Sequence, residues 1–114
     1  MTENLLYSNL KSKTNLTDGE IEDALSVFQH VSVKKKETLI YRERLNKKLF
    51  FIEKGLAYSY KTLDNGDTQV IQFAREGNWI SDLFSFFTAK PALFTIQALE
   101  DCKLLAITKK DYDE

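Results

Sequence analysis

Residues 49–73 read Leu49-Phe50-Phe51-Ile52-Glu53-Lys54-Gly55-Leu56-Ala57-Tyr58-Ser59-Tyr60-Lys61-Thr62-Leu63-Asp64-Asn65-Gly66-Asp67-Thr68-Gln69-Val70-Ile71-Gln72-Phe73. Two apolar runs flank Glu53-Lys54-Gly55, which reads as a short turn. In the second run Leu56, Tyr58 and Tyr60 point one way while Ala57 and Ser59 point the other, the period of a strand. Residues 63–67 follow, holding the Asn-Gly pair that favours a type I′ hairpin turn, with residues 68–73 as the partner strand. Gly55, Gly66 and Gly77 stand 11 residues apart. Turn signals at that interval predict a meandering antiparallel sheet that closes into a sandwich or barrel. Glycine supplies the positive φ that tight turns need.

Upstream lies a helix. Thr17-Asp18-Gly19-Glu20 matches a capping box, with Thr17 as N-cap and Glu20 three residues on. Ile21, Ala24, Leu25 and Phe28 then fall on one helical face, which Val27 widens. Leu5, Leu6 and Leu10 are spaced to line a shorter helix before it. After His30, itself read as a helix-end or partly buried residue, Val31, Val33, Leu39 and Tyr41 alternate with charge as strands do. Downstream of Gly77, Trp79, Ile80, Leu83, Phe84, Phe86 and Phe87 predict a short, mostly apolar helix. Strand patterning returns after Pro91 and again over residues 103–107. Thr108-Lys109-Lys110-Asp111 reads as a helix start. The expected segments are a helical one over 1–30, a β-roll over 31–108 and the start of a truncated helix over 109–114.

Composition removes several classes of function. The chain has 114 residues, one domain's worth. Its net charge of −1 argues against a free-standing nucleic-acid binder. With 43% hydrophobic residues it has enough apolar side chain for an ordinary globule. Apolar runs such as residues 49–52 and 104–107 are far short of the ~20 residues of a membrane span. Cys102 is the one cysteine and His30 the one histidine, so neither an internal disulfide nor a Cys/His zinc centre can form. The lone cysteine and the lack of a visible secretory signal fit a cytoplasmic protein.

The order of elements resembles the effector domain of the Crp/Fnr family of bacterial transcription regulators, a cyclic-nucleotide-binding-like β-roll. The phrases that carry the resemblance are Val31-Ser32-Val33-Lys34-Lys35, Leu49-Phe50-Phe51-Ile52-Glu53-Lys54-Gly55, Ile71-Gln72-Phe73-Ala74-Arg75-Glu76-Gly77-Asn78-Trp79 and Ile96-Gln97-Ala98-Leu99-Glu100-Asp101-Cys102. It implies a mainly β fold, a double-stranded β-helix or jelly roll, with a flanking N-terminal helix and a short helix between strands. It also implies a homodimeric full-length regulator that reads DNA through a helix-turn-helix absent from this chain, and a small-molecule effector.

In family members that bind cyclic nucleotides, a strand ends in Gly-Glu, a short helix follows, and a Pro-Arg-x-x-Thr-like phrase closes the site. Helix N–H groups and the Arg hold the phosphate, and the Glu holds the ribose. Here Gly77 matches the Gly and Asn78 replaces the Glu. Pro91 matches the Pro, Ala92 stands where the Arg would be, and Thr95 matches the hydroxyl position. The candidate effector-binding residues are therefore Gly77, Asn78, Trp79, Ile80, Ser81, Ala92, Leu93 and Thr95. A charge-assisted hydrogen bond contributes about 1.5–3 kcal/mol, so losing the Arg and the Glu disfavours cyclic nucleotide in the usual manner. Asp82, near the first helical turn, would repel a phosphate. Trp79, Phe84, Phe86, Phe87 and Phe94 offer apolar surface for filling the roll or lining an effector cavity.

The remaining constellations read as structure. Lys34, Lys35, Lys36, Arg42, Arg44, Lys47 and Lys48 form a basic region diluted by Glu37 and Glu43, a solvated edge surface. Asp64 with Asp67, and Glu100 with Asp101, read as turn chemistry. Cys102 is a weak candidate for redox sensing. The expected function is effector sensing without catalysis and with no resident cofactor. Two alternatives are kept: a stand-alone cyclic-nucleotide-binding module, and a cupin-type β-barrel enzyme, for which a histidine cluster is missing.

Overall fold

The computed structural model describes residues 3–13 and 15–113. Residues 1, 2, 14 and 114, which belong to the expected terminal segments, lie outside the described residues. Two helices, α1 (Glu3–Lys13) and α2 (Asp18–Ser26), precede the strands β1 (Gln29–Val33), β2 (Thr38–Ile40), β3 (Lys48–Lys54), β4 (Leu56–Thr62), β5 (Thr68–Arg75) and β6 (Trp79–Ile80). Then come α3 (Leu83–Thr88), β7 (Thr95–Ala98), β8 (Cys102–Thr108) and α4 (Lys109–Tyr112).

The capping box at α2 forms as expected. The Glu20 N–H donates to the Thr17 hydroxyl at 3.2 Å, and the Thr17 N–H donates to the Glu20 carboxylate at 2.8 Å. Ile21 and Leu6 are fully buried, while Val27, at the C-cap, turns outward. His30 is not at a helix end. It lies in β1 with an exposed side chain, its Nδ1 3.7 Å from the buried carboxylate of Glu53.

The eight strands make two antiparallel four-stranded sheets, ordered β1-β8-β3-β6 and β2-β7-β4-β5, which is a jelly roll. The expected meander does not form. The chain changes sheet at each connection except β4 to β5, the one sequential pair that shares a sheet. At Gly55 the reason is length. A single residue separates β3 from β4, too few for a hairpin loop, which needs at least two. Glu53 and Lys54 are thus strand residues rather than turn residues, and Gly55 carries the chain from one sheet to the other.

The β4–β5 hairpin is present, but its loop is not type I′. That turn needs positive φ at both Asn65 and Gly66, and of the two only Gly66 has it, at 90°. The Gly66 N–H donates to the Leu63 carbonyl at 2.9 Å, and the Leu63 N–H to the Asp67 carbonyl at 2.7 Å. This is the three-residue form, with the glycine in the left-handed region. The Asn65 side chain accepts from the Asp67 N–H and so closes the loop. Lys36 and Glu43 also hold positive φ, 75° and 73°.

The core lies between the sheets. Ile40, Ala57, Ala74, Ile96 and Ala98 face Phe50, Ile52, Ile80, Leu104 and Ala106. A second cluster lies on the outer face of the first sheet, where Phe51 and Leu105 meet Leu6 of α1, with Leu25, Phe28 and Trp79 packed around them. β3 and β8 are therefore covered on both faces, which is why their sequences are continuous apolar runs rather than alternating ones.

Gly55 holds φ at 111°, and a Cβ there would lie 2.6 Å from Cys102 Sγ and 2.7 Å from the Asp101 carbonyl oxygen. Gly55→Ala is expected to cost about 2–4 kcal/mol, from strain plus overpacking, read as a lower urea midpoint. Thr17→Ala is expected to cost about 1 kcal/mol by the same measurement, through loss of the α2 cap.

Candidate functional site

The expected helix from Trp79 onward divides in two. Trp79 and Ile80 form β6, pairing with Phe51 and Phe50 of β3. Strand geometry sends the two side chains to opposite faces. Ile80 enters the core of the roll, 2% exposed. Trp79 turns to the N-terminal helices, where its ring lies 5.0 Å from Phe51 and its Nε1 donates to Asn9 Oδ1 at 2.9 Å. The aromatic candidates consequently do not converge. Phe86 and Phe87 pack edge-to-face with each other and with Tyr112 of α4, and Phe84 is exposed.

Gly77 and Asn78 form the turn between β5 and β6, with Gly77 at φ 85°. The Gly77 N–H donates to the Ile52 carbonyl, and the Ile52 N–H returns to the Asn78 carbonyl, both at 2.9 Å. Asn78 Oδ1 accepts from the Arg75 N–H at 3.1 Å. The order of strand, polar pair and short helix is met four residues later, where β6 ends, Ser81 and Asp82 follow, and α3 begins. The long spacing from Gly77 to Pro91 is thereby explained: β6 is interposed.

Around that second position the structure assembles a buried polar cluster. Asp82 is the N-cap of α3 and is 1% exposed. Its Oδ1 accepts from the Ser85 N–H at 3.0 Å. Its Oδ2 accepts from the Leu93 N–H at 2.7 Å and the Phe94 N–H at 2.9 Å. The carboxylate thus joins the first turn of α3 to the segment that leads into β7. Asn46, also buried, donates through Nδ2 to Ser81 Oγ at 2.9 Å and to the Asp82 carbonyl at 3.1 Å. Its own N–H donates to Ser85 Oγ at 2.8 Å. The Ser81 hydroxyl donates to the Lys48 carbonyl at 2.7 Å. Sequence reasoning missed Asn46 and Ser85, and it missed the capping role of Asp82. An aspartate directly before a helical apolar run is an N-cap signal and would have marked it.

Ala92, expected from the resemblance to stand where the family has Arg, is 3% exposed within the core. Its N–H donates to the Arg44 carbonyl and its carbonyl accepts from the Glu43 N–H, both at 2.8 Å. Leu93 is exposed. Thr95 sits on β7, where its hydroxyl accepts from the Arg42 N–H at 3.3 Å. Of the eight candidates, Ser81 adjoins Asp82 in the chain and Leu93 meets its carboxylate through an N–H. Gly77 and Asn78 lie before β6, Trp79 is part of β6, Ile80 and Ala92 belong to the core, and Thr95 lies on β7.

Two grooves flank these elements. One of about 320 Å³ runs beside α3 and is lined by Leu45, Asn46, Ser85, Phe86, Phe87 and Lys109. The other, about 660 Å³, lies between the N-terminal helices and the first sheet, with Leu10, Ala24, Phe28, Leu49, Trp79 and Tyr112 on its walls. Cys102 is buried, and burial pushes its thiol above the usual range, which disfavours the reactive thiolate. Among the described residues no three His, Cys, Asp or Glu side chains are placed to hold a metal ion. Among the same residues no helix is long and apolar enough to cross a membrane.

Comparison with solved structures shows the same roll elsewhere. The regulatory domain of Toxoplasma gondii PKA, crystallised with cAMP, superposes with a TM-score of 0.84 at 16% identity, over 97% of this chain and 43% of that one. The catabolite activator protein of Thermus thermophilus gives 0.78 at 23% identity, over 86% of this chain and 46% of that one. The sensor domain of the transcriptional regulator DNR from Pseudomonas aeruginosa gives 0.81 at 17% identity, over 96% and 73%. The chain thus spans less than half the length of the first two. These identities establish the fold alone. A search of curated proteins found no match. The sequence model of the cyclic nucleotide-binding domain matches residues 30–114, from β1 to the end of the chain. With three quarters of its sequence covered and the jelly roll in place, the chain belongs to the cyclic nucleotide-binding domain family.

Proposed function

We propose that this chain is the effector-sensing domain of a Crp/Fnr-like bacterial transcription regulator, and that it does not bind cyclic AMP in the family's usual manner. Family membership and the likeness of its roll to the sensor domains of transcription regulators support the first part. The observation that carries the second is Ala92. Where a guanidinium would meet the cyclic phosphate there is a methyl group packed in the core, on a backbone already paired to Glu43 and Arg44. Nothing at this position supplies the bidentate charge-assisted contact on which phosphate affinity rests.

In this reading the domain is regulatory and performs no chemistry. Its partner is a small-molecule effector, with Ser81, Ala92, Leu93 and Thr95 as the candidates nearest the closing segment. The full-length protein acts as a cytoplasmic homodimer and reaches DNA through a helix-turn-helix outside this chain. Effector binding biases the packing of helices that follow β8, a two-state coupling. The aromatic contacts of Phe86 and Phe87 with Tyr112 link α3 to α4 and offer a route for it.

Isothermal calorimetry of the chain with cyclic AMP and cyclic GMP is expected to give no saturable heat in the micromolar range. Micromolar binding of either would favour a stand-alone cyclic-nucleotide module instead. Ala92→Arg restores the family's residue in sequence but forces a long cation into a filled core. It is expected to cost about 1–3 kcal/mol in a urea melt and to leave cyclic AMP affinity unchanged.

A further inference from the structure

Three backbone N–H groups from two separate segments converge on one point, an arrangement suited to an anion. One comes from the first turn of α3, at Ser85. The other two, at Leu93 and Phe94, come from the segment before β7 and are not part of any helix. The point is already occupied. The Asp82 carboxylate sits there, 1% exposed, taking all three donors at 2.7–3.0 Å. Burying a carboxylate without such partners would be costly. Each donor to a charged acceptor contributes more than one to a neutral acceptor. An external phosphate or carboxylate would have to displace Asp82 and leave it without donors.

We propose that Asp82 is a tethered anion that permanently fills this socket, so that the effector of the domain carries no anionic group there. This rests on the effector-sensing reading above and narrows it to a ligand class, neutral or cationic at the α3–β7 junction. It has a second consequence. With Asp82 in place, α3 is fastened to residues 93 and 94 without any ligand. Because Phe86 and Phe87 lie 5.3 and 5.7 Å from Tyr112, α4 is held with it.

The test is amide hydrogen exchange on the ¹⁵N-labelled chain, with inorganic phosphate as the probe. In the unsubstituted chain, millimolar phosphate is expected to leave the Ser85, Leu93 and Phe94 resonances unmoved. In Asp82→Ala the Leu93 and Phe94 amides are expected to exchange at least about tenfold faster, while those of Phe51 and Leu105 keep their protection. Adding phosphate to that variant should shift the freed resonances and slow their exchange. Asp82→Asn, isosteric and with one acceptor oxygen left, provides a second variant in which part of the protection is lost. Unchanged exchange of Leu93 and Phe94 in both variants would overturn the proposal. So would phosphate shifts at these amides in the unsubstituted chain, or no phosphate effect in Asp82→Ala. Cyclic nucleotide binding that leaves Leu93 and Phe94 unshifted would sink the preceding functional reading yet support the closed socket.

Discussion

The pairing of β3 with β8 sets Phe50 against Ala106 and Phe51 against Leu105, so adjacent residues of both strands send side chains to opposite faces. Both faces are buried. Phe50 and Ala106 close the interior of the roll, and Phe51 and Leu105 meet Leu6 of α1. A strand covered on one side could slip by one residue only by exposing its apolar set. Here a slip would exchange two apolar sets of different shape, and neither would fit. The register is therefore fixed from both sides, and with it the place where β6 joins β3 and where α3 must start.

That starting point creates an electrostatic problem and its solution together. The short β6 delivers Asp82 to the interior edge of the roll, where a carboxylate is costly unless donors meet it. The segment after Pro91 supplies two N–H groups and α3 the third. Asn46 holds the chain on the other side by bonding to Ser81, to the Asp82 carbonyl and to Ser85. The outcome is a small buried polar cluster in which each of these groups has a partner. In that cluster the donors that could greet an anion are spent on the chain's own side chain.

Much of the fold was legible in the residues. The Thr17 capping box, the alternation of Leu56, Ala57, Tyr58, Ser59 and Tyr60, and the turn at Gly66 all follow from local stereochemistry, and all are present. Local rules failed where two residues were too few to show a period. Trp79 and Ile80 read as helix because Leu83, Phe84, Phe86 and Phe87 continued the apolar run, yet β3 offered them a sheet edge. That misreading put Trp79 on the same short helix as Phe86 and Phe87, whereas it lies on β6 and they lie on α3. Asp82 was read by charge alone, as a repellent group on a helix end. Its donors from residues 93 and 94 lie 11 and 12 positions away, beyond the reach of any local pattern.

The amino-acid sequence by itself determined the class of fold, the hairpin at Gly66, the capped helix and the absence of a guanidinium after Pro91, because each depends on a residue's own shape, charge or backbone freedom. Tertiary structure alone decided that Gly55 switches sheets instead of turning a hairpin, that Trp79 and Ile80 part company, and that Asp82 sits among three N–H donors. Those outcomes depend on which distant segments arrive beside a residue. Burial and hydrogen-bond satisfaction are properties of the assembled packing rather than of any stretch of chain.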